Sequence, residues 1–279
     1  MSSPKVGQIM EQLKSDVLSV YKWFCANKLS MHFGKSETML VSNPQKRRHL
    51  SSNELNITVY VDNMSHALPN SHHIKYLGVT LDASLNFDDH VAFVCSKISK
   101  AIGVLKCCNF LPTPVLITMY NAIILPHFDY CCTVWGSTSQ KNLTRLQRLQ
   151  SRAMRCILKL PAHTHIDEML TRLKWMSIRQ RIVFNDLVFM WKILNNKTPS
   201  YMREPISFVR DVHTKTTRNS SNDSLFIPRL HKRSFMYNAC TIWNKLDFTT
   251  RRTDSFNLLK KSCTKFVFTN VQQFLFDFP

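Results

Sequence analysis

Glycine is scarce in this chain, and the few glycines present form no nucleotide-binding motif. Only 5 glycines occur among 279 residues. None of them stands in G-x-G-x-x-G or G-x-x-x-x-G-K-[ST], so dinucleotide-binding and phosphate-loop enzymes lose their main sequence support. The composition is tolerant of helix throughout, which favours a mostly α-helical body.

The chain also lacks the cysteine spacing of zinc sites and disulfide frameworks. Its nine cysteines are odd in number and scattered, and no C-x-x-C pair occurs. We therefore expect reduced thiols and no metal site. No apolar run is long enough to cross a bilayer, and no signal segment opens the N-terminus. The sequence predicts an intracellular protein, cytoplasmic or nuclear, with no membrane partner.

Acidic residues are few relative to basic ones. The chain has 37 Lys and Arg against 18 Asp and Glu, a net charge of +19, and a pI near 9.8. Because 44% of its residues are hydrophobic, it can bury a core and is not a disordered basic tail. The charge favours a polyanionic partner, above all nucleic acid, since each neutralised phosphate releases counterions.

The hydrophobic patterning indicates an α+β fold that is mostly α. Apolar residues recur every three or four positions from Met10 to Phe24, as on one buried face of a helix. Three short runs rich in β-branched residues, 36–42, 55–61 and 74–81, predict a small antiparallel sheet in the N-terminal third. Helical periods follow at 86–108, 113–125, 139–160, 166–173, 176–196, 231–246 and 253–269.

A polar stretch divides the helical part of the chain. Residues 205–228 are rich in Ser, Thr, Asn and charge, which is typical of a linker. The predicted organisation has four parts: residues 1–84 with the sheet, a helical domain over 85–204, a linker over 205–230, and a C-terminal helical cap over 231–279.

The clearest chemical pattern is a run of basic residues at helical spacing after Ser139. With 3.6 residues per turn, the spacing of 4, 3, 4, 3 and 4 places six cations within an arc of roughly 80°. No Asp or Glu lies between Asp129 and Asp167. Two interpretations stay open, an ordinary solvated helix surface or a face that follows a phosphate backbone. The six residues are Lys141, Arg145, Arg148, Arg152, Arg155 and Lys159.

One acidic pair resembles a metal-binding motif but predicts a helix start instead. Asp88 and Asp89 precede an apolar-periodic segment, where negative charge suits the first turn of a helix. No second acidic cluster completes a site, so the sequence predicts no metal centre in this chain.

Four segments, taken in order, resemble a known family. The segment 23–40 reads W-F-C-A-N-K-L-S-M-H-F-G-K-S-E-T-M-L, and Tyr76–Val79 reads Y-L-G-V. Gln150, Ala153 and Arg155 form Q-x-x-A-x-R, and 243–246 reads W-N-K-L. The series, which reaches over nearly the whole chain, is similar to the C-terminal part of non-LTR (LINE-type, jockey-like) retrotransposon reverse transcriptases.

The resemblance implies roles for particular residues. Residues 1–84 would be the end of the palm, with the sheet as a palm remnant, and 85–204 a helical thumb. Lys35 matches a palm lysine, a possible acid for the leaving pyrophosphate, with a plain surface lysine as the alternative. Tyr76, Leu77, Gly78 and Val79 match the hairpin that grips the primer end; the alternative is a buried strand with a bulge glycine. The sequence departs from the family pattern at His32, Ser36 and Asp247.

The resemblance also implies what the chain would not do. In that family the catalytic aspartates lie upstream of the tryptophan segment, so we expect this chain to hold template–primer RNA and DNA without polymerising. It would need no cofactor of its own, because Mg²⁺ belongs to the intact parent polymerase, whose palm and fingers are possible partners. The alternative is a non-enzymatic basic helical module, domesticated or relic, that binds nucleic acid or protein.

Overall fold

Helices dominate the part of the chain that the structure describes. The computed structural model describes residues 6–48, 56–212, 223–230 and 234–270. The chain divides into two units, residues 1–89 and residues 90–279. The predicted fold class, α+β and mostly α, is confirmed. No described helix is both long and apolar enough to span a membrane.

The first unit is built on one long helix and a β-hairpin. Helix α1 is Val6–Ala26, and strands β1 (Ile57–Val61) and β2 (Met64–Leu68) pair antiparallel, with Ile57 opposite Leu68. Alternate β1 side chains are buried against α1, as period-2 alternation requires. Asp62 and Asn63, both at positive φ, form the two-residue turn that suits a twisted hairpin.

A second hairpin follows within the same unit. Strands β3 (His73–Tyr76) and β4 (Val79–Asp82) pair antiparallel around Leu77 and Gly78, at φ 45° and 85°. The Asp82 carboxylate then accepts the backbone N–H groups of Ser84, Asn86 and Phe87, at 2.9, 3.1 and 2.6 Å. These bonds hold the loop that leads into the next helix.

Two details of the predicted sheet are wrong. The run 36–42 is not a strand: Thr38 makes one isolated bridge to Asn70, and Phe33–Lys35 and α2 (Pro44–Arg47) flank the run as short helical turns. The run 74–81 is a hairpin of two strands. The described residues therefore hold two separate two-stranded sheets rather than one sheet.

The second unit consists of helices, most of which match the predicted segments. The first, α3, begins with Asp88 and Asp89 in its first turn, so the predicted helix start is confirmed. The short helices α5, α6, α10 and α12 and the 3₁₀ turn Ser200–Met202 were not predicted. The helices are α3 (Asp88–Cys107), α4 (Thr113–Ile123), α5 (Leu125–Asp129), α6 (Cys132–Trp135), α7 (Gln140–Leu158), α8 (Ile166–Leu173), α9 (Ile178–Leu194), α10 (Val209–Val212), α11 (Phe235–Trp243), α12 (Phe248–Arg251) and α13 (Phe256–Thr269).

Helices α9, α11 and α13 pack around a core rich in tryptophan. Trp191 and Trp243 are buried there with Leu259, and Trp191 Nε1 donates a hydrogen bond to the Thr253 carbonyl at 2.8 Å. The N-terminus of α9 is fixed by a reciprocal capping box between Ser177 and Gln180. The C-terminal helices thus belong to the same core as the long helix α9.

The described ends of the predicted linker are docked on this core. Ile206 and Leu225 are buried, and Phe208 forms a β-bridge with Leu225. The Asn244 side chain clamps Leu225 by donating to its carbonyl and accepting from its N–H, at 2.8 and 2.7 Å. Residues 213–222 and 231–233 lie outside the described residues. The four-part domain organisation stays a prediction.

Candidate nucleic-acid interface

Helix α7 presents one face to the core and the other to solvent. The Ser139 hydroxyl caps its N-terminus by accepting from the Asn142 N–H, and the helix ends where Lys159 turns to φ 54°. Leu146, Ala153 and Ile157 are fully buried on the inner face. Burial of this apolar stripe fixes which side chains point outward.

The outer face carries the cations predicted from their spacing. Lys141, Arg145, Arg148, Arg152 and Lys159 are exposed. Among the described residues, no ion pair includes any of these five. Like charges at this spacing repel one another by a few tenths of a kcal/mol per pair, so the face favours an external anion.

Arg155, the sixth member of the predicted set, differs from the others. Its side chain is half-buried, and its Nη2 donates to the Thr164 carbonyl at 3.2 Å. Its Nε is buried without a hydrogen-bond partner among the described residues. Arg155 therefore ties the loop after α7 to the helix, a contact that helical spacing alone does not reveal.

The other two residues of the Q-x-x-A-x-R motif also hold α7 in place. Gln150 is buried, and its Nε2 donates to the Met176 carbonyl at 2.9 Å. Ala153 is fully buried, where a larger side chain would not fit without displacing neighbours. The motif thus positions the helix, while the exposed cations between its residues face solvent.

Two grooves flank the cationic face. A groove of about 510 Å³ lies between α3 and α7, and Ser96, Ser99 and Arg145 contribute to its lining. A larger groove of about 1090 Å³ lies on the other side, against α8, α9 and the end of α13. Arg148 and Arg152 line both grooves, so they form the ridge between them.

Several residues of the larger groove escaped sequence reasoning. Lys174, Trp175 and Arg179 line it together with the α7 arginines. Burial lowers the pKa of the Arg179 guanidinium, which donates to Gln140 Oε1 at 2.8 Å. These residues lie at the junction of α8 and α9, so only tertiary packing brings them beside α7. No spacing in the sequence marks them.

The residues predicted to grip a primer end lie on the second hairpin of the first unit. Tyr76 and Leu77 are exposed at its tip, 65% and 73% respectively, and Val79 is buried. Gly78 occupies the turn at positive φ, so it is not a bulge within a buried strand. The tip can therefore meet a partner with two apolar side chains.

Lys35, the predicted leaving-group acid, lies on the surface of the first unit. It ends the 3₁₀ turn Phe33–Lys35 and is exposed. Among the described residues, no hydrogen bond or ion pair joins its side chain to the β3–β4 hairpin. Its predicted role as a leaving-group acid stays a prediction.

The described acidic residues form no cluster of three or more metal-ligating side chains. Within the described ranges, no group of three or more His, Cys, Asp or Glu side chains could hold a metal ion. Asp89 lies 2.9 Å from His73 Nδ1, and Asp88 shares the first turn of α3. Mg²⁺ takes oxygen ligands, and proteins usually hold it with one or two carboxylates together with waters and substrate phosphates.

Comparisons with known proteins point to one kind of relative. A probable RNA-directed DNA polymerase from transposon X-element of Drosophila melanogaster is 31% identical over 103 residues, 36% of this chain and 11% of that protein. The RNA-directed DNA polymerase from mobile element jockey of Drosophila funebris is 29% identical over 119 residues, 41% of this chain and 13% of that protein. A probable RNA-directed DNA polymerase from transposon BS of Drosophila melanogaster is 30% identical over 91 residues, 31% of this chain and 10% of that protein.

These matches cover only part of this chain and only a small part of each relative. They cover 31–41% of this chain, although the four motif segments extend over nearly all of it. The chain matches only 10–13% of the length of these relatives. No protein-family model matches the chain, and no solved structure matches it significantly. The resemblance predicted from the motifs is nevertheless confirmed: over part of its length the chain is similar to the reverse transcriptases of jockey-like non-LTR retrotransposons.

Proposed function

We propose that the second unit binds the template–primer nucleic acid of a reverse transcriptase through the exposed face of α7. The observation that carries this proposal is the row of five exposed cations, Lys141 to Lys159, with no ion pair among the described residues. The row extends about 27 Å along the helix axis at 1.5 Å per residue. A duplex has one phosphate of each strand per roughly 3.4 Å of its axis, so a duplex lying along the row presents about eight phosphates of each strand over that length.

The groove between α3 and α7 supports the same ligand. Hydroxyl groups of Ser96 and Ser99 line it beside Arg145 and Arg148. Serine hydroxyls and arginines are the groups that proteins commonly present to phosphate oxygens. The names of the relatives, RNA-directed DNA polymerases, favour an RNA template with a DNA product as that ligand.

The first unit supplies two further contacts under this proposal. Tyr76 and Leu77 at the exposed hairpin tip would pack against the primer end, and Gly78 would let its backbone approach closely. Lys35 would act near the leaving pyrophosphate of a complete polymerase. The proposed role is binding without polymerisation, so magnesium-dependent primer extension by this chain would contradict it.

A charge reversal on the ridge tests the proposal. Five phosphate contacts predict a slope of log K against log salt of about −4.5 on a duplex. The double variant Arg148→Glu and Arg152→Glu removes two contacts, so the slope should flatten to about −2.7 or less in magnitude. Both side chains are exposed, so the variant should fold.

The matched control changes the same charge elsewhere. Lys197 and Lys260 are exposed and contribute to neither groove beside α7. Lys197→Glu with Lys260→Glu alters net charge equally and should leave the slope near its original value. If the two double variants flatten the slope equally, the chain binds by net charge alone and α7 is not the interface.

A further inference from the structure

The larger groove beside α7 combines a cationic edge with an apolar floor. Arg148, Arg152 and Arg155 form one edge, along the ridge of α7. Across the groove lie Lys174 and Arg179. The floor is built from apolar side chains of α7, α8, α9 and α13 and from the residue that links α8 to α9: Leu143, Ile166, Leu170, Trp175, Ile178 and Phe268.

The charge of the groove is strongly one-sided. Five basic side chains line it, and Asp167 is the one acidic side chain in its lining. That carboxylate lies 3.3 Å from His165 Nδ1 and is well exposed. An apolar peptide would gain nothing from the five cations, whereas a polyanion with apolar parts would satisfy both the edges and the floor.

An unpaired strand has both kinds of surface available at once. In a duplex the base faces are stacked inside, so only phosphates and base edges reach a protein. A single strand exposes base faces that stack on aromatic and apolar side chains while its phosphates bind cations. The Tyr120 ring stacks on Trp175, with ring centroids 4.1 Å apart and an interplanar angle of 22°. This stacking fixes the orientation of the Trp175 ring in the groove.

We propose that this groove binds an unpaired nucleic-acid strand, with phosphates along Arg148 and Arg152 and bases over Leu170 and Trp175. The inference rests on the proposed function, since the same arginines supply phosphate contacts there. The new element is that the larger groove, on one side of the α7 ridge, binds bases rather than the phosphate backbone. A duplex bound to the α7 ridge would therefore end at the edge of the larger groove, and one of its strands would continue into the groove unpaired.

Tryptophan fluorescence gives a direct readout of the groove. Trp135, Trp191 and Trp243 are buried, and Trp23, on α1, is exposed. In a Trp23→Phe chain, Trp175 is the one tryptophan that a ligand can reach. Three probes are compared on the full chain: a DNA strand of about a dozen nucleotides, an abasic strand of equal length, and the matching duplex.

The proposal predicts a graded result. The intact strand should quench Trp175 and bind at least about tenfold more tightly than the abasic strand, the equivalent of one stacked base. Leu170→Gln should remove most of that advantage without changing the affinity for the abasic strand. Leu258→Gln, on an exposed position of α13 outside the groove, should change neither.

Two outcomes would overturn the inference while leaving the proposed function standing. Equal affinity for intact and abasic strands would show that bases do not enter the groove. Equal quenching by the duplex would show that the groove does not select unpaired nucleic acid. The proposed function fails separately, when Arg148→Glu with Arg152→Glu leaves the salt slope of every probe unchanged.

Discussion

Asp186 is a carboxyl group buried in the helical unit, and within the part of the chain that the structure describes no ion pair includes it. It lies on α9, is 6% exposed, and its Oδ1 has no hydrogen-bond partner among the described residues. Burial raises its pKa well above the ordinary range. Burial also raises the pKa of the Cys132 thiol to about 12, with Asp186 adding to the shift. The raised pKa favours the protonated carboxyl in the folded state, so ionising Asp186 at higher pH costs stability.

The raised pKa of Asp186 sets the direction in which the free energy of unfolding changes with pH and the pH range of that change. The unfolded carboxyl ionises near pH 4, whereas the folded carboxyl keeps its proton to a higher pH, so the folded state binds more protons between the two pKa values. Stability should therefore fall as pH rises from about 4 until the folded pKa is passed. Asp186→Asn should remove this fall and stabilise the protein by about 1–3 kcal/mol at pH 7, with little gain at pH 4. Urea unfolding at several pH values measures it.

A second aspartate separates this effect from general charge. Asp254 is exposed in the same unit, so Asp254→Asn makes the same change in charge without relieving a buried carboxyl and should not stabilise the protein. A gain for Asp186→Asn that is the same at pH 4 and pH 7 would contradict the assignment of a raised pKa to this carboxyl.

Asp247 is one of the three residues that depart from the family pattern, and the structure shows what its side chain does. Asp247, where the resemblance has Pro, caps the short helix α12 by accepting from the Thr250 N–H at 2.9 Å. Burial raises its pKa, but hydrogen bonds from Thr249 and Thr250 outweigh burial and lower the pKa overall. The substitution thus supplies a cap that Pro cannot, since Pro has no side-chain acceptor.

At the scale of elements, helices were more predictable than strands. Helix α7 was predicted at 139–160 and is Gln140–Leu158, because its apolar and basic residues repeat every three or four positions over five turns. Strand β2 was missed, since Met64–Leu68 contains no β-branched residue and owes its form to pairing with β1. The run 36–42 has strand composition but only one bridge, at Thr38.

The candidate interface was predictable only in part, for a related reason. The outward face of α7 follows from one helical period, so sequence alone located its five exposed cations. The grooves follow from where α3, α8, α9 and α13 lie beside α7, which no local pattern encodes. The same packing removes Arg155 from the exposed set by placing the Thr164 carbonyl against it.

The β3–β4 hairpin offers a test that separates folding from binding. Leu77 occupies its turn at φ 45°, a conformation that costs a leucine about 1–2 kcal/mol and an asparagine less. Asn-Gly is the preferred sequence for such a turn, so Leu77→Asn should stabilise the protein by about 0.5–1 kcal/mol. If the tip packs on a primer end, the same change should lower affinity for a template–primer while thermal stability rises.

Leu85 provides the matched control for that experiment. It is also an exposed leucine at positive φ, 52°, but lies in the Asp82 loop rather than on the hairpin tip. Leu85→Asn should raise stability and leave template–primer affinity unchanged. Equal binding by both variants and the unaltered chain would argue against a primer contact at Leu77.

At the scale of the whole molecule, net charge alone does not locate a binding surface. The chain carries +19, and either double reversal described above lowers that by four, to +15. Any difference between Arg148→Glu with Arg152→Glu and Lys197→Glu with Lys260→Glu therefore reports position rather than total charge. Nonspecific attraction depends on the total, whereas a defined interface depends on which cations are lost.

Two clusters of buried side chains, one around β1, β2 and α1 and the other around α9, α11 and α13, share no residue, and each should respond to its own mutations. Ile57 is fully buried among the β1–β2 side chains and α1, and Leu259 is fully buried between α13 and α9. Truncation of either to alanine removes a comparable buried side chain and should cost about 2–5 kcal/mol. Because these two clusters share no residue, we predict that Ile57→Ala lowers the midpoint of one thermal transition and Leu259→Ala that of another. Circular dichroism and differential scanning calorimetry on the full chain follow both transitions.

If both variants shift one common transition by the same amount, the chain unfolds as a single cooperative body. The interface on α7 would then lose its folded support whenever the β-hairpin unit unfolds.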